Sequence, residues 1–146
     1  MEKTKAALKV VLADSFVMYF RTHSYHWNVE GSNFGEMHEF FGGIYEDLHG
    51  TIDTWAEQIR TLDEYAPASL MELYNYKNIH EDPAKPATLR DMLVNTQSSN
   101  DIMIANLDVL FQVATDENLQ NIADVAAARL DAHRKLAWML KSYLKA

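Results

Sequence analysis

The chain has no cysteine, so neither disulfides nor thiolate metal sites are open to it. It has only five glycines and three prolines in 146 residues. Two of the prolines, Pro83 and Pro86, sit close together, which leaves most of the chain free to be helical. No apolar run approaches the roughly 20 residues that a membrane span needs. The start, Met1-Glu2-Lys3-Thr4-Lys5, is too polar for a signal peptide. No membrane partner is expected, and a reducing cytoplasm is compatible with the lack of cysteine. Positive charge is scarce too: 13 Lys and Arg stand against 21 Asp and Glu, a formal net charge of -8. That balance argues against an intrinsic attraction to nucleic acid and for one to cations.

At this length the chain is expected to form one domain over residues 1–146, large enough for a sizeable core. The apolar periodicity predicts four long helices and no strands. Leu8, Leu12, Phe16, Tyr19, His23 and His26 step along one face of the first, over residues 4–27. Phe34, His38, Phe41, Tyr45, Leu48, Ile52, Trp55, Ile59 and Leu62 form the stripe of the second. Ser32 or Asn33 is its candidate N-cap. Leu89 to Leu110 marks a third helix starting at Thr88, and Leu119 to Leu144 a fourth. The stretch from Pro67 to Pro86 is a crossover, in which Ser69 and Glu72 have capping-box spacing for a short helix ending near Tyr76. Short connections on either side of one long crossover match a ferritin-like bundle topology.

Ligand-type residues concentrate in the first half: His26, His38, Asp53 and Glu57. Imidazole and carboxylate together suit a first-row transition metal, iron or zinc before calcium. An isolated Asp53/Glu57 pair four residues apart usually marks a solvated face. Here the like charges repel unless a cation or basic group compensates. A lone histidine on an apolar stripe is more often a hydrogen-bonded core or interface residue, so the reading rests on the joint pattern. If the second helix is continuous, His38 and Asp53 stand ~22 Å apart along it at 1.5 Å per residue. They cannot hold one ion within one chain. If all four are ligands, the site is shared between two chains.

The run His26-Trp27-Asn28-Val29-Glu30-Gly31 with Phe34, then His38-Glu39, Tyr45, and Ile52-Asp53 through Ala56-Glu57, Ile59-Arg60, resembles the signature of the Dps family of mini-ferritins. The likeness continues through Tyr65-Ala66-Pro67-Ala68-Ser69 to Ala132-His133-Arg134 and beyond, over nearly the whole chain. The resemblance implies an all-α, ferritin-like four-helix bundle with a short extra helix in the long crossover between helices 2 and 3. It also implies a homo-oligomer, a dodecameric shell with iron-oxidising sites at two-fold dimer interfaces. His26 and His38 would come from one chain and Asp53 and Glu57 from its mate. The activity implied is ferroxidase, with Fe²⁺ oxidised by peroxide or dioxygen and the product stored. Zinc is a possible substitute for iron.

One position departs from the family pattern. Four residues after His38, where the family has a further acidic ligand, this chain has Gly42, followed by Gly43. Each glycine inside a helix costs on the order of 1 kcal/mol against alanine. A di-iron site is therefore expected in which either the second position is weak, or Glu46 one turn on, or a water, takes the missing ligand's place. A shell with a weakened or inert site is one alternative. Another is a di-metal site inside the bundle built on Glu46-Asp47-Leu48-His49, a Glu-x-x-His unit of which the chain has one copy. His23 and His26, three apart, could pair on a metal or simply pack. His80 has no assignable role. Trp27 and Trp55 flank the proposed ligands, either as packing or as acceptors of stray oxidising equivalents. Asp116, Glu117 and Asp124 would line an iron-entry pore by resemblance, or simply charge a helix start. Family members that bind DNA carry a basic tail. Here only Lys3 and Lys5, Lys141 and Lys145 are near the ends, which argues against direct DNA binding.

Overall fold

A computed structural model describes residues 1–81 and 87–145, so Pro83 and Pro86 lie outside the described residues. The described residues form five helices and no strand: α1 (Glu2–Asn28), α2 (Phe34–Thr61), α3 (Leu70–Tyr76), α4 (Leu89–Asp116) and α5 (Gln120–Leu144). This is the ferritin-like arrangement expected from the sequence, a four-helix bundle with a short helix in the crossover. α1 is the hub, packing against α2, α4 and α3, while α4 packs on α5. Ser69 caps α3 by accepting from Glu72 N, and Thr88 caps α4 by accepting from Asp91 N. Asn33 precedes α2 without a side-chain cap bond.

α2 and α4 end in a left-handed residue that is not glycine. Asp63 and Asn118 take the left-handed conformation, at φ 60° and 61°, a state that Asp and Asn tolerate. Glu64 N then bonds Ile59 O at 3.4 Å and Leu119 N bonds Ala114 O at 2.8 Å, which closes the last turns of α2 and α4. Only the turn before α2 requires a glycine, Gly31 at φ 123°.

The core departs from the sequence expectation along α1. Leu8 and Leu12 are buried as expected, but the buried stripe continues through Ser15, Met18, Thr22 and Tyr25. Phe16, Tyr19, His23 and His26 are only half-buried, because they turn toward the side of the bundle. Phe34, read as the first core residue of α2, is 47 % exposed. Ser15 and Thr22 hide the true stripe from a hydrophobicity pattern. Thr22 nonetheless fits the interior, since its hydroxyl bonds back to Met18 O at 2.9 Å.

Two buried polar groups tie the bundle together. Asp14 is fully buried and accepts from Asn78 N at 2.8 Å, Ile79 N at 2.9 Å and Asn106 Nδ2 at 2.6 Å. It thus joins α1, the chain after α3, and α4. Burial raises its carboxyl pKa despite these three bonds and nearby Lys77. Each donor left unpaired would cost about 1–3 kcal/mol. Between α4 and α5, Asn100 Oδ1 accepts from His133 Nδ1 at 2.7 Å, and Asn100 Nδ2 donates to His133 O at 2.9 Å. Arg129 Nη2 lies 3.1 Å from His133 Nε2 and forms a paired bridge to Asp47 on α2, at 2.9 and 3.2 Å.

Burial, then Arg129, lowers the His133 pKa to about 4 from 6.5, outweighing Asp47. A folded-state pKa below the unfolded one stabilises above the unfolded pKa, and that stabilisation is lost as pH falls toward the folded one. His133 should therefore remove about 3 kcal/mol of stability between pH 6.5 and 4, at 1.36 kcal/mol per unit. Asp14 acts with opposite sign, so the difference against a His133→Gln variant is the quantity to follow. Urea unfolding across this window should show wild type losing ground to that variant by roughly one proton's slope; parallel curves would contradict the assignment.

Candidate metal centre

His26 lies in the last turn of α1 and His38 in the second turn of α2, and the short connection brings them together. Val29, 2 % exposed, anchors that connection, and Phe34 N bonds Gly31 O across it at 3.1 Å. The two imidazoles stack at 3.7 Å between centroids, 18° from parallel. Each is held by the other's backbone: His26 Nδ1 is 2.6 Å from His38 O, and His38 Nδ1 is 2.7 Å from His26 O. A carbonyl oxygen only accepts, so each Nδ1 carries the proton and donates. Both Nε2 lone pairs are left available, in the tautomer a metal-binding histidine needs. The reciprocal bonds also fix the ring planes before any ligand arrives.

Asp53 and Glu57 are exposed on the second half of α2. Because α2 is one uninterrupted helix, they remain ~22 Å and more from His38. Among the described residues no three His, Asp or Glu side chains come together to hold a metal. One chain therefore supplies a histidine pair at one place and a carboxylate pair at another. This also bears on Glu46 and His49. Both are exposed, and they belong to no group of three ligand residues among the described residues. The His49 ring packs instead on Tyr19 at 4.9 Å.

Gly42 acquires a structural reason. It is buried, and a Cβ there would stand 3.2 Å from His26 Nδ1 and 3.3 Å from His26 Cε1. The bare helix surface makes room for the imidazole. An acidic residue at this position would require the His26 ring to yield by a few tenths of an ångström. Gly43 meets nothing within 4 Å, so packing does not explain it.

The remaining candidates separate. His23 has partners of its own. Its ring centroid is 6.2 Å from that of His26, and it stacks on Tyr45 at 3.8 Å, with Nδ1 3.0 Å from Tyr19 Oη. Burial, then His26 and His49, hold its pKa below the usual value. Tyr19 escapes a ligand search, although its spacing of four before His23 is the signal for it. Trp55, 1 % exposed, is a core residue, whereas Trp27 is 56 % exposed beside His23. His80 is exposed.

Of the three acids read as a possible pore lining, Glu117 is engaged elsewhere. It accepts from Thr4 N at 2.9 Å and Thr4 Oγ1 at 2.6 Å at the start of α1, and lies 3.2 Å from the Met1 amine. The Thr4 bonds lead in lowering its pKa to about 2. Asp116 ends α4 and accepts from Gln112, and Asp124 accepts from Gln120.

The ferritin-like domain family matches residues 5–146. A DNA protection during starvation protein of Brevibacillus brevis is 31% identical over 138 residues, covering 92% of this chain and 89% of the relative. The chain belongs to the Dps family of ferritin-like proteins. An uncharacterized low temperature-induced protein of a Nostoc species is 30% identical over 135 residues, covering 92% of this chain and 75% of that one. The crystal structure of a Dps protein from Vibrio cholerae superposes with a TM-score of 0.93 at 28% identity. It covers 99% of this chain and 90% of that one, and is described as a ferritin-like diiron-carboxylate protein.

Gly42→Asp should raise the number of ferrous ions bound per histidine pair, provided that His26 gives way. An anaerobic Fe²⁺ titration of the variant measures this, and an unchanged count would show that the missing carboxylate is not what limits the site.

Proposed function

We propose that this chain is an iron-oxidising, iron-storing mini-ferritin that removes Fe²⁺ together with peroxide. The observation that carries the reading is the reciprocal His26–His38 lock, which leaves two preset Nε2 lone pairs but no carboxylate beside them. The missing oxygens are Asp53 and Glu57 of a second copy. A two-fold interface is isologous, so one dimer would contain two such sites, each with two imidazoles and two carboxylates. That donor set suits iron and accepts zinc. Negatively charged oxygens stabilise Fe³⁺ more than Fe²⁺, so the site favours oxidation of its substrate ion. With Gly42 in place of an acid, one ion per site binds firmly and a second weakly.

An exposed apolar surface supports pairing of copies. Phe16, Val17 and Phe20 of α1 with Leu70, Leu73 and Tyr74 of α3 line a groove of 330 Å³. Leu70 is 70 % exposed, Tyr74 60 % and Phe20 48 %. Phe20 meets Trp27 edge-on at 6.2 Å, which carries the patch to the edge of the histidine pair. Contiguous apolar surface of this kind marks an interaction site. The family's dodecameric shell, a closed set of such dimers, is the assembly proposed. No helix among the described residues is long and apolar enough to cross a membrane. The cytoplasm is the proposed compartment. A net charge of -8 on every chain opposes direct contact with DNA phosphates, which depends on Lys and Arg.

Anaerobic Fe²⁺ loading followed by peroxide tests the reading. Asp53→Ala should lose most of the oxidation rate, while Glu46→Ala should stay close to wild type. The reverse pattern would move the chemistry inside the bundle. Iron that stays ferrous in the wild-type protein would make the assembly an inert shell.

A further inference from the structure

We propose that Tyr19, hydrogen-bonded to His23, is a redox-active tyrosine that supplies the second electron when peroxide is reduced at a site holding a single ferrous ion. The inference rests on the iron-oxidising reading above. It starts from an electron count: reduction of peroxide to water takes two electrons, and one Fe²⁺ provides one. A site in which Gly42 has removed an oxygen ligand will often meet peroxide with a single ion bound. Unless something else supplies the other electron, the product is a hydroxyl radical beside His26 and His38.

The side of the bundle next to the histidine pair is built of rings in short steps. Tyr45 lies 5.2 Å from His26 between centroids. His23 stacks on Tyr45 at 3.8 Å, only 5° from parallel. The Tyr19 hydroxyl is 3.0 Å from His23 Nδ1, and the Tyr19 ring is 6.2 Å from Tyr45. Removing an electron from a phenol makes it a strong acid, so the oxidation is easiest where a base already accepts its hydrogen bond. With the His23 proton on Nε2, Nδ1 accepts from the Tyr19 hydroxyl at 3.0 Å and is such a base. Among the described residues, no group of this kind bonds the hydroxyl of Tyr45. All of these side chains are half-buried, so a radical formed there is partly shielded from solvent.

The step balances as follows. One Fe²⁺ becomes Fe³⁺, and Tyr19 loses an electron while its phenolic proton passes to His23. Peroxide takes the two electrons and two protons from solvent and becomes two waters, while His23 keeps the phenolic proton. A second Fe²⁺ then reduces the tyrosyl radical, and His23 returns the proton. The sum is two ferrous ions oxidised per peroxide, with no free hydroxyl radical.

Rapid freeze-quench electron paramagnetic resonance on the assembled protein tests this, with one Fe²⁺ per histidine pair and excess hydrogen peroxide. The wild type should give a tyrosyl signal that narrows when its tyrosines carry ring deuterium. Tyr19→Phe should lose that signal and release hydroxyl radical to a spin trap, while anaerobic Fe²⁺ binding stays intact. Iron oxidation without a tyrosyl signal in the wild type overturns the proposal alone. No iron oxidation at all overturns it together with the reading it rests on. A tyrosyl signal that persists in Tyr19→Phe assigns the radical elsewhere and also overturns it. Loss of both signal and Fe²⁺ binding makes Tyr19 a structural residue and overturns it as well.

Discussion

The stiffness of one helix governs the rest of the structure. α2 runs unbroken over Phe34–Thr61. A helix is a fixed ruler, and at 1.5 Å per residue it holds the carboxylates of Asp53 and Glu57 ~22 Å and more from His38. α1 packs back along α2, and the short connection sets His26 beside His38, while no third ligand residue joins them among the described residues. In the proposed shared site, metal binding and self-association become one event. On that proposal the apolar groove between α1 and α3, with the exposed rings of Phe20 and Trp27 next to it, is the surface a second copy covers. An isolated chain would leave both the ligand set and this surface unfinished.

Preorganisation at the imidazole end follows from backbone rather than side-chain chemistry. Two carbonyls accept from two Nδ1 groups at 2.6 and 2.7 Å, which settles tautomer and ring plane together. The same close packing explains Gly42, whose missing Cβ would press on the His26 ring. One substitution thus makes room for the imidazole and removes an oxygen ligand. In the proposed site this ties the expected inequality of the two iron positions to a steric cause as well as to charge.

Much of the fold is legible in the sequence because the long helices carry strong periodicity and few breakers. Thr88 and Ser69 are readable as caps, since hydroxyl residues in those places have one favoured use. The extent of α2 is legible almost in full, although Phe34 at the head of its stripe is exposed and Met37, Ile44 and Thr51 are buried beside it. The second half of α1 misleads, because its inward face there is made by Ser15, Thr22 and Tyr25. Their burial depends on partners far along the chain, or on a bond back to the helix itself. Asp14 and the Asn100–His133 pair are illegible as clasps for the same reason, their partners lying 33 to 92 residues away. The candidate ligands are legible as a set, and the helix ruler already separates them. The stacked, doubly bonded geometry of His26 and His38 is not, since it depends on how the turn around Gly31 aims two helix ends.

Mixing two damaged chains tests the shared centre most directly. His38→Ala keeps the carboxylates and lacks an imidazole, and Asp53→Ala does the opposite. Each alone should bind Fe²⁺ poorly. In a mixed dimer one site carries both lesions and the other carries none. Refolding the two variants together should therefore restore tight anaerobic Fe²⁺ binding at about a quarter of the wild-type sites if chains pair at random. No recovery on mixing, with assembly intact, would contradict a site shared between chains.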